Sequence, residues 1–128
     1  LTDLEERLAE RISLLSLTVG LAICQAIERL APSADTGLKW PNDVFLRSRK
    51  VCGILVETSP ARPGVIAIGV GMNVNNRLSA APAEIQAVAT SLADVAKTEF
   101  DRRRLIVCAA AIECGKIGGA VPNMDMFQ

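Results

Sequence analysis

Apolar side chains recur at helical spacing along the first quarter of the chain. The stripe consists of residues three or four positions apart: Ile12, Leu15, Val19, Ile23, Ile27 and Leu30. This spacing predicts a helix over residues 12–30, and further leucines widen the stripe enough to predict burial against a sheet. Ser13 or Ser16 is the expected N-cap, and Pro32 is expected to end the helix.

Beyond Pro32 the pattern changes to the short apolar runs that are typical of strands. The predicted strands are four such runs: residues 38–40, 44–46, 50–58 and 64–74. Pro41 interrupts the chain after the first run, because proline lacks a backbone donor. Arg47, Ser48 and Arg49 are the expected polar turn of a β-hairpin between the second and third runs.

The second half of the chain is predicted to be helical. The expected helices are short: residues 83–89, 91–97 and 102–114. Thr90 or Ser91 can cap the second of them, Asp101 can cap the third, and Gly115 is expected to end it. A helix, then strands, then helices is the order of an α+β domain, so we predict a mainly antiparallel sheet with packed helices.

Composition and charge narrow the possible functions. The 128 residues fit one domain of ordinary size. Lysine plus arginine and aspartate plus glutamate number 14 each, so the basic excess of a nucleic-acid-binding protein is missing and no nucleic-acid partner is predicted. The chain contains no histidine, which excludes the commonest zinc sites and the Ser–His and Cys–His nucleophile pairs.

The cysteines and the longest apolar run indicate the compartment. Cys24, Cys52, Cys108 and Cys114 form no CxxC pair, so we expect thiols in a reducing environment rather than disulfides or a metal site. The apolar run of residues 14–27 is shorter than the roughly 20 residues of a membrane span. We therefore predict a cytoplasmic protein without a membrane partner.

The first candidate site is the hairpin that joins the segment Lys39–Asp43 to the strand beginning at Lys50. It gathers two lysines, a carboxylate and a carboxamide, which suit a nucleotide: lysines attract phosphate, and Asp43 can hold the magnesium that accompanies ATP. Gly53, having no side chain, lets a ligand lie against the strand backbone. The residues alone are equally compatible with a solvated hairpin tip that carries a surface ion pair.

The second candidate is the glycine- and asparagine-containing segment Gly69–Asn75. It lacks the third glycine and the following helix of a dinucleotide-binding fingerprint, so a strand end or bulge is the expected structure. The amides of Asn73 and Asn75 nevertheless suit recognition of phosphate, ribose or metal-bound water.

Three segments, KWPNDV, RKVCGILVE and IGVGMNVN, resemble in order and spacing the signature of biotin–protein ligases of the biotin/lipoate A/B protein ligase family. The helix ahead of them and residues 89–92 also fit, so the resemblance covers residues 14–107. It implies the catalytic-domain fold of that family, which is similar to the class II synthetases. It also divides the chain into a lead-in (1–13), a central catalytic part (14–107) and a divergent tail (108–128).

The resemblance implies a role for each matching residue. Lys50 matches the active-site lysine at the junction of the biotin carboxylate and the α-phosphate. Asp43 matches the aspartate near the metal and the attacking amine. The other matches are assigned to the ligands: Lys39, Trp40, Asn42 and Asn73 to the ATP side, and Gly53, Ile54 and Leu55, together with Lys50, to biotin.

The activity implied by the resemblance has two steps. The biotin carboxylate attacks the α-phosphorus of ATP to give biotinyl-5′-AMP and pyrophosphate, and a carrier-protein lysine then takes the biotin and releases AMP. The implied small molecules are biotin, ATP and Mg²⁺. The implied partner is a biotin carboxyl carrier protein domain, and a homodimer is one expected assembly.

Both ends of the sequence depart from the family pattern. The arginine-rich loop of the type GRGRxGR is not found in residues 1–13, and residues 108–128 do not resemble the family. We therefore expect a truncated, weakly active or inactive form of the enzyme. The alternatives are a lipoate–protein ligase, a non-catalytic remnant that acts as a binding module, and a generic nucleotide-binding domain.

Overall fold

The computed structural model describes the backbone of residues 2–117 and the side chains of residues 2–112. Its elements, in chain order, are α1 (Asp3–Leu30), β1 (Thr36–Lys39), β2 (Asp43–Leu46), β3 (Arg49–Thr58), β4 (Ile66–Met72), a 3₁₀ turn (Leu78–Ala80), α2 (Ala83–Val88), α3 (Leu92–Ala96) and α4 (Arg102–Ile117). The strands form one antiparallel sheet in the order β1-β2-β3-β4. The predicted α+β class is therefore confirmed.

Helix α1 begins at Asp3 rather than at residue 12, because Thr2 and Glu5 form a reciprocal capping box. The Glu5 amide donates to the Thr2 hydroxyl at 3.2 Å, and the Thr2 amide donates to the Glu5 carboxylate at 2.8 Å. The expectation that Ser13 or Ser16 caps the helix was wrong, and Ser16 is buried within it. The helix ends before Pro32, as predicted.

Helix α1 is longer than the apolar run of residues 14–27, so its length and hydropathy are compared again with those of a membrane span. With 28 residues and a mean hydropathy of 1.4 over its most apolar window, α1 is long and apolar enough to cross a membrane by length and composition. The core helix of a soluble protein meets the same criterion. In this fold Ala22, Ile23 and Ile27 of α1 are at most 3% exposed and belong to the hydrophobic core.

One face of the sheet packs against α1, and α4 packs beside α1. Gly20 allows this close approach, since a Cβ atom there would lie 2.7 Å from Cδ2 of Leu38 and 3.4 Å from Cδ1 of Ile54. Val44 and Cys52 are at most 1% exposed on the same face of the sheet. The core therefore lies between α1 and this side of β1, β2 and β3.

The later helices follow the predicted caps, with one exception. The Ser91 hydroxyl accepts from the amide of Asp94, and the Asp101 carboxylate accepts from the amide of Arg103 at 2.9 Å. Gly115 does not end α4, which continues to Ile117, because a glycine within a helix weakens it without necessarily breaking it. The side chain of Cys114 and the tail after Ile117 lie outside the described residues.

Candidate functional site

The candidate site lies on the face of the sheet that points away from α1. Successive side chains of a strand point to opposite faces, so the neighbours of the buried Val44 and Cys52 point outward. Asp43 pairs with Lys39 of β1 and with Gly53 of β3. The turn that contains Pro41 thus places both ends of the KWPND segment side by side on this open face.

A β-bulge brings Lys50 onto the same face. The register of β2 and β3 shifts so that Val44 pairs with Cys52 while Phe45 pairs with Lys50, which leaves Val51 as the extra residue. In a regular strand, Lys50 would share the buried face of Cys52, two positions away. The bulge turns Lys50 outward, and Nζ of Lys50 lies 3.1 Å from Oδ1 of Asp43.

The Lys50–Asp43 ion pair remains accessible to a ligand. The side chain of Lys50 is 48% exposed and that of Asp43 is 23% exposed. Exposed pairs of this kind contribute little to stability, so an incoming anion can compete for the ammonium group. A second cation lies nearby, with Nζ of Lys39 5.3 Å from the centre of the Phe45 ring.

Glycines expose the strand backbone next to this ion pair. Gly53 pairs with Gly71, and the exposed Leu55 pairs with Gly69. A Cβ atom at Gly71 would meet nothing within 4 Å, whereas one at Gly53 would lie 3.4 Å from Cε and Nζ of Lys50. The open face therefore offers a flat, backbone-lined surface that begins at the Lys50 ammonium group.

Asn73 lies beside the bulge, but its side chain is engaged by a neighbouring loop. Its amide N–H donates to the carbonyl of Val51 at 2.9 Å, and its Nδ2 donates to the carbonyl of Thr90 at 3.3 Å. Its Oδ1 accepts from Nδ2 of Asn76 at 3.0 Å. The Thr90 amide in turn donates to the carbonyl of Lys50 at 2.9 Å, so Asn73 connects to Lys50 through Thr90.

The structure brings together only part of the set predicted from the sequence. Four of the residues meet on the open face: Lys39, Asp43, Lys50 and Gly53. Trp40 and Leu55 are exposed beside them. Ile54 is 3% exposed toward α1, so only its backbone can meet a ligand, and its amide already donates to the carbonyl of Asn42 at 2.9 Å.

Cys52 lies directly behind the open face, where it is buried as the sequence predicted. Burial raises the pKa of its thiol to about 12, with Cys24 and Asp43 adding to the shift and Lys50 opposing it. Because the thiolate is the nucleophilic form of cysteine, this side chain is inert at neutral pH. The reactive groups of the face are therefore the lysines and Asp43.

Two contributors to the site were missed from the sequence. Phe45 shares the open face with Lys39. On the other side of Lys50, Ala89 forms an isolated parallel bridge with Lys50, and the amide of the next residue, Thr90, donates to the Lys50 carbonyl. The alternating pattern of β2 could have placed Phe45 opposite to Val44. No sequence signal marks the contact of Thr90, because it is made by backbone atoms from 40 residues further along the chain (90 − 50).

Comparisons with known proteins agree on one family. The family described as Biotin/lipoate A/B protein ligase matches residues 1–73. A Biotin--[acetyl-CoA-carboxylase] ligase of Mycobacterium tuberculosis is 46% identical over 93 residues, which are 71% of this chain and 32% of that protein.

Solved structures show the same likeness. The apo biotin protein ligase of Aquifex aeolicus has a TM-score of 0.75 and 31% identity, over 84% of this chain and 46% of that chain. The same ligase in complex with biotin and ATP has a TM-score of 0.71 and 32% identity, over 81% of this chain and 42% of that one. The chain thus spans about a third of the curated relative and less than half of the solved ligase.

Proposed function

Because the chain belongs to the biotin/lipoate A/B protein ligase family, we propose that its open sheet face forms the Lys50 side of a biotin–protein ligase active site. The observation that supports this most strongly is the 3.1 Å ion pair between Lys50 and Asp43 beside the exposed backbone of Gly53. It unites the two residues to which the family resemblance assigns the reaction.

In the proposed first step, a carboxylate oxygen of biotin attacks the α-phosphorus of ATP, and pyrophosphate leaves. In the second step, the amine of a carrier lysine attacks the carbonyl carbon of biotinyl-5′-AMP, and AMP leaves. Both steps build negative charge on oxygen at the carboxyl–phosphoryl junction. The Lys50 ammonium group would stabilise that charge, and Asp43 would hold the ammonium in place and accept the proton of the incoming amine.

The surroundings of Lys50 suit the two substrates. The backbone at Gly53 and Gly71 would receive the bicyclic ring system of biotin, because side chains there would fill the same space. The exposed turn with Lys39, Trp40 and Asn42 is assigned to the ATP side, where the lysine charge attracts phosphate.

Magnesium would reach this site together with ATP. The described residues contain no group of three or more His, Cys, Asp or Glu side chains that could hold a metal ion by themselves. Magnesium characteristically takes one or two protein carboxylates plus phosphate oxygens, so the single carboxylate of Asp43 is compatible with it. We place the reaction in the cytoplasm, with a biotin carboxyl carrier protein domain as the acceptor.

A single-turnover assay tests this proposal. The sequence, placed in an active, full-length ligase of the family, is mixed with biotin, ATP and Mg²⁺, and biotinyl-5′-AMP is quantified by chromatography. Lys50→Ala should slow adenylate formation about 10²–10³-fold, by analogy with the loss of one oxyanion donor. Arg62→Ala, a change in the exposed turn between β3 and β4, is the matched control and should have no effect.

Two results would overturn the assignment. Adenylate formation that is unchanged in Lys50→Ala would remove Lys50 from the reaction. Adenylation of lipoate in preference to biotin would instead identify a lipoate–protein ligase.

A further inference from the structure

A second charged region lies at the first residue of β3, where the segment that contains Gln86 and Ala89 runs beside that strand. Arg49 pairs with Leu46, whose side chain is fully buried, whereas Lys50 pairs with Phe45 on the open face. Consecutive strand residues point to opposite faces, so the side chains of Arg49 and Lys50 lie on opposite faces of the sheet. Arg49 lines a cavity of about 240 Å³ that Lys50 does not line.

Three cations from distant parts of the chain converge on this cavity. Arg49 comes from the start of β3, Arg77 from the loop after β4, and Lys97 from the C-terminal end of α3. One carboxylate, that of Asp94, lies among them, so the formal charge of this lining is +2 (three cations minus one carboxylate). Cations grouped around one space repel each other unless an anion offsets them.

Hydrogen bonds hold the lining in place. Nη1 of Arg49 donates to the carbonyl of Gln86 at 3.2 Å, and Nε2 of Gln86 donates to the carbonyls of Ser79 and Ala81. Oδ2 of Asp94 accepts from the amide of Leu78 at 2.8 Å. The loop between β4 and α2 is thereby tied both to β3 and to α3.

The arginines that line the cavity retain N–H donors that can bind a ligand. A guanidinium group has five N–H donors, and Arg49 uses one of them for Gln86. Arg77 lies 3.8 Å from Asp94, a long contact, and is 52% exposed. The volume exceeds the roughly 150 Å³ of a cavity that accepts benzene, so a small polyatomic anion fits.

We propose that this cavity, lined by Arg49, Arg77 and Lys97, is a binding site for an oxyanion of the phosphate class. Arginine forks match the geometry of phosphate oxygens, and a net charge of two offsets a doubly charged anion. Lys50 does not line this cavity, and anion binding there does not depend on biotin ligation.

Calorimetric titration of the intact chain with pyrophosphate, and separately with inorganic phosphate, tests the proposal at constant ionic strength. We expect saturable binding at one site. Arg49→Gln should weaken it about tenfold or more, because it removes a charge-assisted contact. Arg62→Gln removes the same charge from an exposed turn outside the cavity and should leave the affinity unchanged.

Asp94→Asn provides a gain-of-binding test that a damaged fold could not mimic. The asparagine oxygen can still accept from the Leu78 amide, while the loss of the negative charge should tighten binding several-fold. Tighter binding of pyrophosphate than of phosphate would identify a diphosphate ligand, and equal affinities a single phosphate group.

Three results would overturn the proposal. The first is binding that does not saturate for either anion. The second is an equal loss of anion affinity in Arg49→Gln and Arg62→Gln. The third is weaker anion binding in Asp94→Asn than in the unchanged chain.

Discussion

The same strands present different kinds of side chain on the two faces of the sheet. On β3, Cys52 and Ile54 face α1 and are at most 3% exposed, whereas Gly53 and Leu55 face outward and Leu55 is 56% exposed. The helix face is filled by apolar side chains, whose removal from water stabilises the fold. The open face carries an ion pair and exposed backbone instead. From Cys52 to Leu55, residues that stabilise the fold thus alternate with residues of the candidate site.

The largest effect is expected from a cavity made on the helix face. Leu46 is fully buried, so Leu46→Ala should lower the free energy of unfolding by about 2–5 kcal/mol. Leu55→Ala on the open face is the matched control and should cost less than about 0.5 kcal/mol. Urea denaturation followed by circular dichroism measures both, and equal losses would show that the faces do not differ as described.

A smaller effect, on chemistry rather than stability, is expected from Gly53→Ala. The new Cβ would lie 3.4 Å from Cε and Nζ of Lys50, so the amine must move by a few tenths of an ångström. Misplacement of a reacting group slows a reaction, so the rate of adenylate formation should fall about tenfold. Gly37→Ala, where a Cβ meets nothing within 4 Å, is the control in the same single-turnover assay. A similar loss in both variants would refute the role of the Gly53 position.

The smallest effect is expected at the exposed first turn of α1, remote from both faces. Hydrogen bonds from Thr2 hold the pKa of Glu5 below its ordinary value of 4.5. A carboxyl group with a lowered folded-state pKa stabilises the structure above its unfolded pKa, and that contribution is lost as the pH falls through the lowered value. Acid should therefore fray the start of α1 first.

Amide hydrogen exchange of residues 3–7, followed by NMR between about pH 6 and pH 3, measures this fraying. Glu5→Gln has no carboxyl group to titrate, and it should remove the acid-dependent part of the change. Fraying that is identical in this variant would assign the pH dependence to another group.

Much of the fold could be predicted because single residues mark its boundaries. Pro32 follows the end of α1, Pro41 lies in the turn between β1 and β2, and Asp101 caps α4. The start of α1 was missed although its signal is present, since Thr2 and Glu5 have the spacing of a capping box.

The site was less predictable, because it depends on pairing between strands. Alternation alone turns Lys50 and Cys52 to the same buried face, and only the bulge at Val51 separates them. A bulge is a property of two strands in register, which a pattern along one strand does not contain. The same limit applies to Arg49 and Arg77, which meet at one cavity although they are distant in sequence.

NMR titration of the ¹⁵N-labelled chain with biotinyl-5′-AMP measures whether the open face binds the reacting ligands around Lys50. We expect saturable shifts of the amides of Lys50, Gly53, Leu55 and Gly71, and little change at Leu46 or along the buried face of α1. Shifts concentrated on the helix side, with the open-face amides unchanged at saturation, would contradict this expectation.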